Sequence, residues 1–262
     1  MFYRNDRGWH FFSYTRNTWI NSNSLEFNTA LTQQFAADSD NAHRLAGAAI
    51  LPAGALPAFN GSKIICVGRN YRNHAAELGN DVPKRPLWFF KPPSSIIGEE
   101  GRIVLPQGVG RIDYEGELGL LIGKKTRNIS VHYAESCIGG VTACLDMTAR
   151  ELQKSDGQWT RAKGFDTFLP LASMVAPYSP AWKNGSIEVY KNGELVQKSG
   201  FSAMVFGFAE LIADLSACMT LEPGDLILTG TPEGVGPVAA GDQLSVSIIG
   251  PERINLSVNV AG

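Results

Sequence analysis

The chain has 262 residues and a formal net charge of −2, from 23 lysines and arginines against 25 aspartates and glutamates. Because no basic excess exists to neutralise phosphates, nucleic-acid binding is not expected. Hydrophobic residues make up 44% and charged residues only 18%, which excludes a disordered chain and predicts a sizeable buried core. The 28 glycines and 14 prolines favour many short strands and turns over a helical bundle.

The expected cellular compartment is inferred from the apolar segments of the sequence. No apolar run approaches the ~18 residues that span a bilayer, and the start, MFYRNDRGWHFF, has no apolar stretch of a signal peptide. We therefore expect a cytoplasmic protein that does not interact with membranes. Cys66, Cys137, Cys144 and Cys218 show no C-x-x-C spacing, so they are expected to be reduced, buried thiols.

Residues 1–60 differ from the rest of the chain, since they contain no lysine and seven asparagines. The stretch WHFFSYTRNTWI predicts one or two strands, and residues 27–49 predict a weak helix. The stretch LPAGALPAFNGS, which follows, is typical of an exposed linker. We interpret residues 1–60 as a small N-terminal appendage and residues 61–262 as the domain that carries the chemistry.

From Lys63 onward the pattern is that of a predominantly β, α+β protein. RNYRNHAAELG has helical spacing and ends on Gly79, and two further helices are predicted in MTARELQKS and FAELIADLSACM. Strands outnumber helices and do not alternate with them, which argues against a Rossmann sheet or a TIM barrel. The strand-like stretches are KIICVG, PLWFFK, RIVLP, EGELGLLIG, GGVTACLDM, SIEVYKNGELV with a hairpin signal at Asn-Gly, DLILTG and QLSVSIIG.

Three acidic residues form the first candidate site. Glu115 and Glu117 are i and i+2 in a strand, so both carboxylates project from one face, and Gly119 leaves room beside them. Asp146 lies where the stretch GGVTACL gives way to the helix MTARELQ. Taken alone, the glutamates would form a solvated strand edge, and the aspartate would be a helix N-cap. Together, three carboxylates without a nearby Cys or His describe a hard-cation site, which favours Mg²⁺ or Mn²⁺ over Zn²⁺.

A histidine and a glutamate form the second candidate. His74 and Glu77 are three residues apart and share a face of a short helix. A carboxylate beside an imidazole raises its basicity and holds one tautomer, which is the usual arrangement of a general base. Without further context, the two residues would be a surface ion pair.

Further candidates lie in three other stretches. Arg150 and Gln153 follow the candidate aspartate by four and seven residues, along one helix face, and Lys163 lies in TRAKGFD. The loop TGTPEGVG, residues 229–236, lacks the G-x-G-x-x-G pattern of a dinucleotide site. It is either a turn or a place where Thr229, Thr231 and nearby amides hold an anionic group.

Six segments occur in one order along the chain: KIICVGRNYRNHAAELG, WFFKPPSS, DYEGELGLLIG, CLDMTARELQ, WTRAKGFDTFLPL and GDLILTGTPEGVGPV. Together they resemble the fumarylacetoacetate hydrolase family, and most closely its small acylpyruvase-like branch. The resemblance covers roughly residues 63–249. It implies an α+β fold built as a rolled mixed β-sandwich, and a homodimer.

The resemblance also implies roles for single residues. The implied metal is Mg²⁺ or Mn²⁺, and in a crystal Ca²⁺ could take its place. Its implied ligands are Glu115, Glu117 and Asp146. The implied catalytic residues, of which the first two activate water on a segment that acts as a lid, are His74, Glu77 and Lys163. The implied substrate-binding residues are Arg150, Gln153 and Thr231.

The implied activity is hydrolysis of a C–C bond in an acylpyruvate such as fumarylpyruvate or acetylpyruvate, with pyruvate leaving as its enolate. The alternative is a decarboxylase, or an isomerase or tautomerase, of a 2-oxo acid or diacid such as oxaloacetate or 2-hydroxyhepta-2,4-diene-1,7-dioate, because these reactions pass through a related enolate. The sequence differs from that of some acylpyruvases just before the first metal glutamate. Those enzymes have histidines where this chain has Asp113 and Tyr114. Asp-Tyr is common in the wider family, including isomerases and decarboxylases of aromatic degradation.

Overall fold

The computed structural model describes residues 2–5, 8–13 and 18–21 and, from Gly61 onward, residues 61–77, 79, 81–99 and 101–261. The first three ranges are the strands β1 (Phe2–Asn5), β2 (Gly8–Ser13) and β3 (Thr18–Asn21), which form an antiparallel sheet with β2 in the middle. The stretch WHFFSYTRNTWI thus contributes to two strands, as predicted. The weak helix predicted over residues 27–49, and linker residues 51–60, lie outside the described residues.

Short strands make up most of the chain from residue 61 onward. The strands are β4 (Ile64–Gly68), β5 (Leu87–Lys91), β6 (Ile96–Ile97), β7 (Arg102–Ile103), β8 (Ile112–Tyr114), β9 (Gly116–Ile122), β10 (Ile138–Leu145), β11 (Thr148–Ala149), β12 (Leu169–Pro170), β13 (Ala176–Pro177), β14 (Ser186–Lys191), β15 (Glu194–Gly200), β16 (Leu226–Leu228), β17 (Gly236–Pro237), β18 (Gln243–Ile249) and β19 (Arg253–Val260). The α-helices are α1 (Arg72–Glu77), α2 (Val131–Ala134), α3 (Arg150–Ser155), α4 (Thr160–Lys163) and α5 (Phe208–Cys218). Among the described residues, no helix combines the length and the apolar composition that a membrane span needs.

Two larger sheets form the body of the fold. One has six strands in the order β13-β10-β9-β16-β4-β5, in which β4 and β16 are parallel and the other neighbours are antiparallel. The other has five strands in the order β15-β14-β18-β19-β7, in which β19 and β7 are parallel. The smaller sheets β11-β8-β17 and β12-β6 complete the pairing. This is the mostly β, mixed-sheet α+β fold that the sequence predicts.

Strand β9 lies inside the six-stranded sheet, and both of its faces are covered. The side chains that it contributes to the larger apolar cluster are Leu118, Leu120 and Ile122. Leu121 belongs to a second, smaller cluster on the other face. Gly119 does not leave open space, because a Cβ there would lie 2.9 Å from Leu226 Cδ1 and 3.0 Å from Thr142 Cγ2. That prediction was wrong, since side chains of the neighbouring strands fill the space.

Two other sequence expectations need correction. Strand β19 was not predicted, although its residues alternate between exposed and buried along its whole length, which is the period of a half-buried strand. The thiols of the first three cysteines are buried, as expected, but Cys218 is exposed. It is the last residue of α5, where the helix leaves the core.

The parallel pairing of β4 with β16 brings two candidate segments together. Since the carboxyl ends of parallel strands meet at one edge, α1 and the TGTPEGVG loop are neighbours. The Asn70 side-chain amide donates to the carbonyls of Thr229 and Phe206 over 2.8 and 3.1 Å. The Gly234 amide donates to Glu77 Oε1 over 3.1 Å. At this sheet edge the loop therefore contacts both ends of α1, through Asn70 just before the helix and Glu77 at its last position.

Candidate active site

The three predicted metal ligands converge. One carboxylate oxygen from each of Glu115, Glu117 and Asp146 lies within 4.8 Å of the others. Strand pairing explains the convergence, because Leu145, the last residue of β10, pairs with Gly116, which lies between the two glutamates. The three acidic residues are 5%, 2% and 1% exposed. The alternative of a solvated strand edge is therefore wrong.

Asp146 is not a helix cap either. Helix α3 begins only at Arg150, with Ala149 as its N-cap residue, because β11 intervenes. The Asp146 carboxylate instead accepts hydrogen bonds from two ammonium groups, Lys91 Nζ on Oδ1 and Lys163 Nζ on Oδ2, each over 2.7 Å.

Lys91 is a site residue that the sequence analysis missed. A lysine at the end of an apolar strand usually extends its ammonium group to water, so LWFFK contains no signal of burial. Here the side chain is fully buried, and Nζ also donates to the backbone carbonyl of Lys163. Lys91 therefore fixes both Asp146 and the chain at the end of α4.

Glu115 is a carboxylate held in its charged form. Lys163 Nζ donates to Glu115 Oε2 over 2.7 Å, and Arg150 Nη2 lies 2.7 Å from Oε1. Burial acts to raise the pKa of Glu115, but the charges of Lys163 and Arg150 outweigh burial and hold this pKa below its usual range.

Glu117 has the opposite environment. Burial raises the pKa of Glu117 well above its ordinary value, and the negative charges of Asp146 and Glu115 raise it further. Among the described residues, no cationic side chain pairs with Glu117, and the Gly230 amide, 2.6 Å from Oε2, is its hydrogen-bond donor. The TGTPEGVG loop thus contacts a carboxylate of the protein itself through a backbone amide. Binding of a ligand's anionic group by this loop stays a prediction.

This donor set fits a hard divalent cation. A buried carboxylate without a cationic partner, beside two others, is unfavourable unless a positive charge lies among them. Three carboxylate oxygens without a thiolate or imidazole are the ligands that Mg²⁺ and Mn²⁺ prefer. The residues that would hold the ion are Glu115, Glu117 and Asp146.

Arg150 connects this cluster to a predicted substrate residue. Its Nη1 donates to Gln153 Oε1 over 2.9 Å, and its Nε donates to Asp113 Oδ2 over 2.8 Å. Asp113 Oδ1 also accepts from Arg111 Nε over 2.6 Å. Asp113 thus holds the guanidinium of Arg150 in place. This is one of the two residues at which the chain differs from some acylpyruvases, which have histidines there.

The histidine and glutamate of the predicted general base lie side by side. His74 Nδ1 lies 3.4 Å from Glu77 Oε2 within α1. His74 is only 4% exposed, so the alternative of a surface ion pair is wrong. Burial lowers the pKa of His74; the charge of Glu115 acts against burial, and the charge of Arg150 acts with it. The histidine is therefore neutral near pH 7, in the form that can accept a proton.

One cavity of about 520 Å³ joins the two clusters. The predicted site residues that line it are His74, Glu77, Glu115, Glu117, Asp146, Arg150, Gln153, Lys163 and Thr231. Thr229 does not line it, because its hydroxyl donates to the carbonyl of Leu118. The cavity is also lined by Arg69, Phe89 and Trp159. All three lie in the quoted segments, but no spacing in the sequence assigns them a role.

Residues 63–259 match the sequence profile of the fumarylacetoacetate (FAA) hydrolase C-terminal family. The chain belongs to this family. Oxaloacetate tautomerase FAHD1, mitochondrial, from Arabidopsis thaliana is 46% identical to it over 204 residues, which are 76% of this chain and 91% of the relative.

Two solved structures of the fumarylacetoacetate hydrolase family show the same fold. The 2-hydroxyhepta-2,4-diene-1,7-dioate isomerase from Mycobacterium marinum superposes with a TM-score of 0.72 at 38% identity, over 79% of this chain and 77% of its own. Fumarylpyruvate hydrolase from Pseudomonas aeruginosa, in complex with Mn²⁺ and pyruvate, has a TM-score of 0.72 at 32% identity, over 81% of this chain and 98% of its own. The predicted family and fold are confirmed, while the relatives carry the names of a tautomerase, an isomerase and a hydrolase.

Proposed function

We propose that this protein is a divalent-metal-dependent enzyme that interconverts the keto and enol forms of a 2-oxo dicarboxylic acid such as oxaloacetate. The observation that carries the proposal is the buried triad of Glu115, Glu117 and Asp146, with the Lys163 ammonium on two of its carboxylates, in the wall of a cavity. The 46% identity to an oxaloacetate tautomerase supports the choice of reaction. A bound divalent cation would supply Lewis-acid polarisation of the substrate's carboxylate and keto oxygens.

Lys163 supplies a fixed positive charge for the enolate. Burial lowers the pKa of Lys163, but the carboxylates of Asp146 and Glu115 outweigh burial and raise the pKa above its usual value. The group is therefore an ammonium at neutral pH. A preorganised charge in a buried site stabilises a developing oxyanion far more than water does.

His74 is the proton carrier in this proposal. When Nδ1–H donates to Glu77, the lone pair lies on Nε2, which is free to accept a proton. In the keto-to-enol direction, His74 removes a proton from the carbon next to the keto group. The electron pair moves onto the keto oxygen, and the same proton is then returned to that oxygen, so that the enol forms without another reactant.

Hydrolysis of an acylpyruvate is the second candidate function, and the His74–Glu77 pair favours it. In that reaction the histidine takes a proton from water, the hydroxide attacks the distal carbonyl, and the C–C bond breaks with its electron pair on pyruvate. The proton on the histidine then passes to the carbon of the pyruvate enolate, which regenerates the neutral imidazole. The structural similarity to fumarylpyruvate hydrolase supports this candidate. Both candidates require the same ammonium group beside the enolate.

Four assays of the purified protein with added Mg²⁺ or Mn²⁺ test the proposal: oxaloacetate tautomerisation, oxaloacetate decarboxylation, and cleavage of fumarylpyruvate and of acetylpyruvate. Asp146→Ala at the same ion concentration is the control for catalysis by free metal. We expect tautomerisation above that control and its loss in excess chelator. Cleavage without tautomerisation would select the second candidate, and full activity in excess chelator would contradict both.

A further inference from the structure

Arg69 is a cation of the cavity without an anionic partner. The buried cations of the same wall are committed, since Arg150 pairs with Asp113 and Lys163 pairs with Asp146. Across the described parts of residues 61–261, no carboxylate forms an ion pair with the Arg69 guanidinium, which is half-buried and lines the cavity. The group therefore has its hydrogen-bond donors available for a ligand.

The backbone places Arg69 in a conformation that favours glycine. Its φ is +56°, which an L-residue with a long side chain rarely adopts. Such outliers cost free energy and occur most often where the side chain has a function. Arg69 follows directly after β4, so the unusual conformation lies where this strand ends in the wall of the cavity.

Aromatic rings connect Arg69 to the acidic cluster. Arg69 Cζ lies 5.9 Å from the centre of the Trp159 ring, and Trp159 meets Phe89 edge to face, with ring centres 5.3 Å apart. Phe89 in turn lies 5.1 Å from Lys163 Nζ. A cation thus stands at each end of an aromatic wall. This arrangement suits a ligand with a carbon skeleton in the middle and a negative charge at both ends.

We propose that Arg69 binds the second carboxylate of the substrate and makes the enzyme selective for 2-oxo dicarboxylates over 2-oxo monocarboxylates. The inference rests on the proposed function, in that the first carboxylate and the keto group are bound at the acidic cluster. A guanidinium matches a carboxylate with two parallel hydrogen bonds, and the cation–π contact with Trp159 limits its freedom before binding. Lys154 also lines the cavity, but its side chain is exposed.

A binding experiment tests the inference independently of turnover. The probes are 2-oxoglutarate and 2-oxopentanoate, which have the same number of carbons and differ in the terminal carboxylate. Their Kd values are measured by calorimetry with Mg²⁺ for the wild type, Arg69→Met, Lys154→Met and, as a matched control, Arg72→Met. Arg72 is exposed on α1 and does not line the cavity.

We expect the wild type and Arg72→Met to bind the diacid more tightly, and Arg69→Met to lose about tenfold in affinity for the diacid alone. Unchanged binding of 2-oxopentanoate shows that this variant is folded, and Arg69→Lys should restore part of the preference. The inference is overturned when Arg69→Met affects both probes equally, or when only Lys154→Met removes the preference. If the wild type binds neither probe, or binds both equally, the inference fails, while the tautomerisation assay decides the proposed function separately.

Turnover gives a second readout where the wild type is active. Fumarylpyruvate carries a second carboxylate and acetylpyruvate does not. Arg69→Met should raise KM for the diacid with little change in kcat, because the lost contact is equally present in the ground and transition states. Equal losses for the two substrates would overturn the role of Arg69 and leave the proposed function intact.

Discussion

Arg150 Nε donates a hydrogen bond to Asp113 Oδ2 over 2.8 Å. The two residues are 7% and 1% exposed, so water competes little for this hydrogen bond. Pairing of β11 with β8 brings them together, because Thr148 pairs with Asp113 just before α3 begins. The ion pair thereby fixes the one guanidinium that contacts both Glu115 and Gln153.

Asp113→Asn should weaken this arrangement and lower the activity. The variant removes one of the two carboxylates that pair with the Arg150 guanidinium and leaves Glu115 as the other, so we expect unfolding to become easier by about 2 kcal/mol. We expect kcat/KM for the best 2-oxo acid to fall at least about tenfold. Urea unfolding and steady-state kinetics measure the two effects. Asp156→Asn, in the solvent-facing pair with Arg161, should change neither, and wild-type kinetics of Asp113→Asn would refute the role.

Mg²⁺ or Mn²⁺ should stabilise the wild type and not Glu117→Gln. The variant keeps the shape of the side chain and removes the carboxylate that has no cationic partner. At an ion concentration about 100 times its Kd, binding stabilises the folded state by about 2.7 kcal/mol. Thermal melts over a titration of each ion measure the shift in Tm. Glu188→Gln on β14 should retain the wild-type shift, because Glu188 pairs with Lys198 outside the cluster. An equal shift in Glu117→Gln would contradict the assignment of this ligand.

His74→Ala should separate two reactions that share the enolate. Acylpyruvate cleavage needs an activated water, and loss of a positioned base costs ~10²–10⁴-fold in rate. Oxaloacetate decarboxylation needs no such base and should fall much less. Lys163→Ala should lower both reactions, since both form the enolate. The test is kcat/KM for each substrate at saturating Mg²⁺, and equal losses in His74→Ala would assign the histidine to a shared step.

The activity that depends on His74 should persist in mildly acidic solution. Burial lowers the pKa of His74 below its ordinary value of 6.5, and only the neutral imidazole accepts a proton. As the pH falls, the drop in kcat/KM should therefore be centred below pH 6.5. Glu77→Gln removes a charge and a hydrogen bond that raise this pKa, so the drop should move to still lower pH. A drop centred above pH 6.5 in the wild type would contradict a neutral base.

The sequence predicted the groupings that local geometry controls. A spacing of two in a strand placed Glu115 with Glu117, and a spacing of three in a helix placed His74 with Glu77. Asp146 was grouped with the glutamates from its residue type and its place at the end of a strand, but its distance from them depends on strand pairing, which local spacing does not give. The metal preference followed from chemistry alone, since carboxylate oxygens are hard ligands.

The sequence could not predict contacts between distant segments. Lys91 has two partners, the carboxylate of Asp146 and the backbone carbonyl of Lys163. They are 55 and 72 residues further along the chain. Asp113 and Arg150 are 37 residues apart, and neither residue differs locally from a surface charge. Strand β19 was predictable from its alternation and was missed. The roles of the site residues, the lid, the homodimer and the boundary at residue 60 stay predictions.

The amide that holds Glu117 belongs to Gly230, which is 113 residues further along the chain, and Asn70 meets Thr229 across 159 residues. During synthesis, the ribosome must therefore release most of the protein before the cavity can form. Until β16 emerges, β4 lacks its parallel neighbour, and the segment that carries His74 lacks the loop that contacts Asn70 and Glu77 on either side of it. Folding that depends on such long-range contacts is slow. A chain cut short before residue 226 would retain every predicted metal ligand and still lack an assembled site.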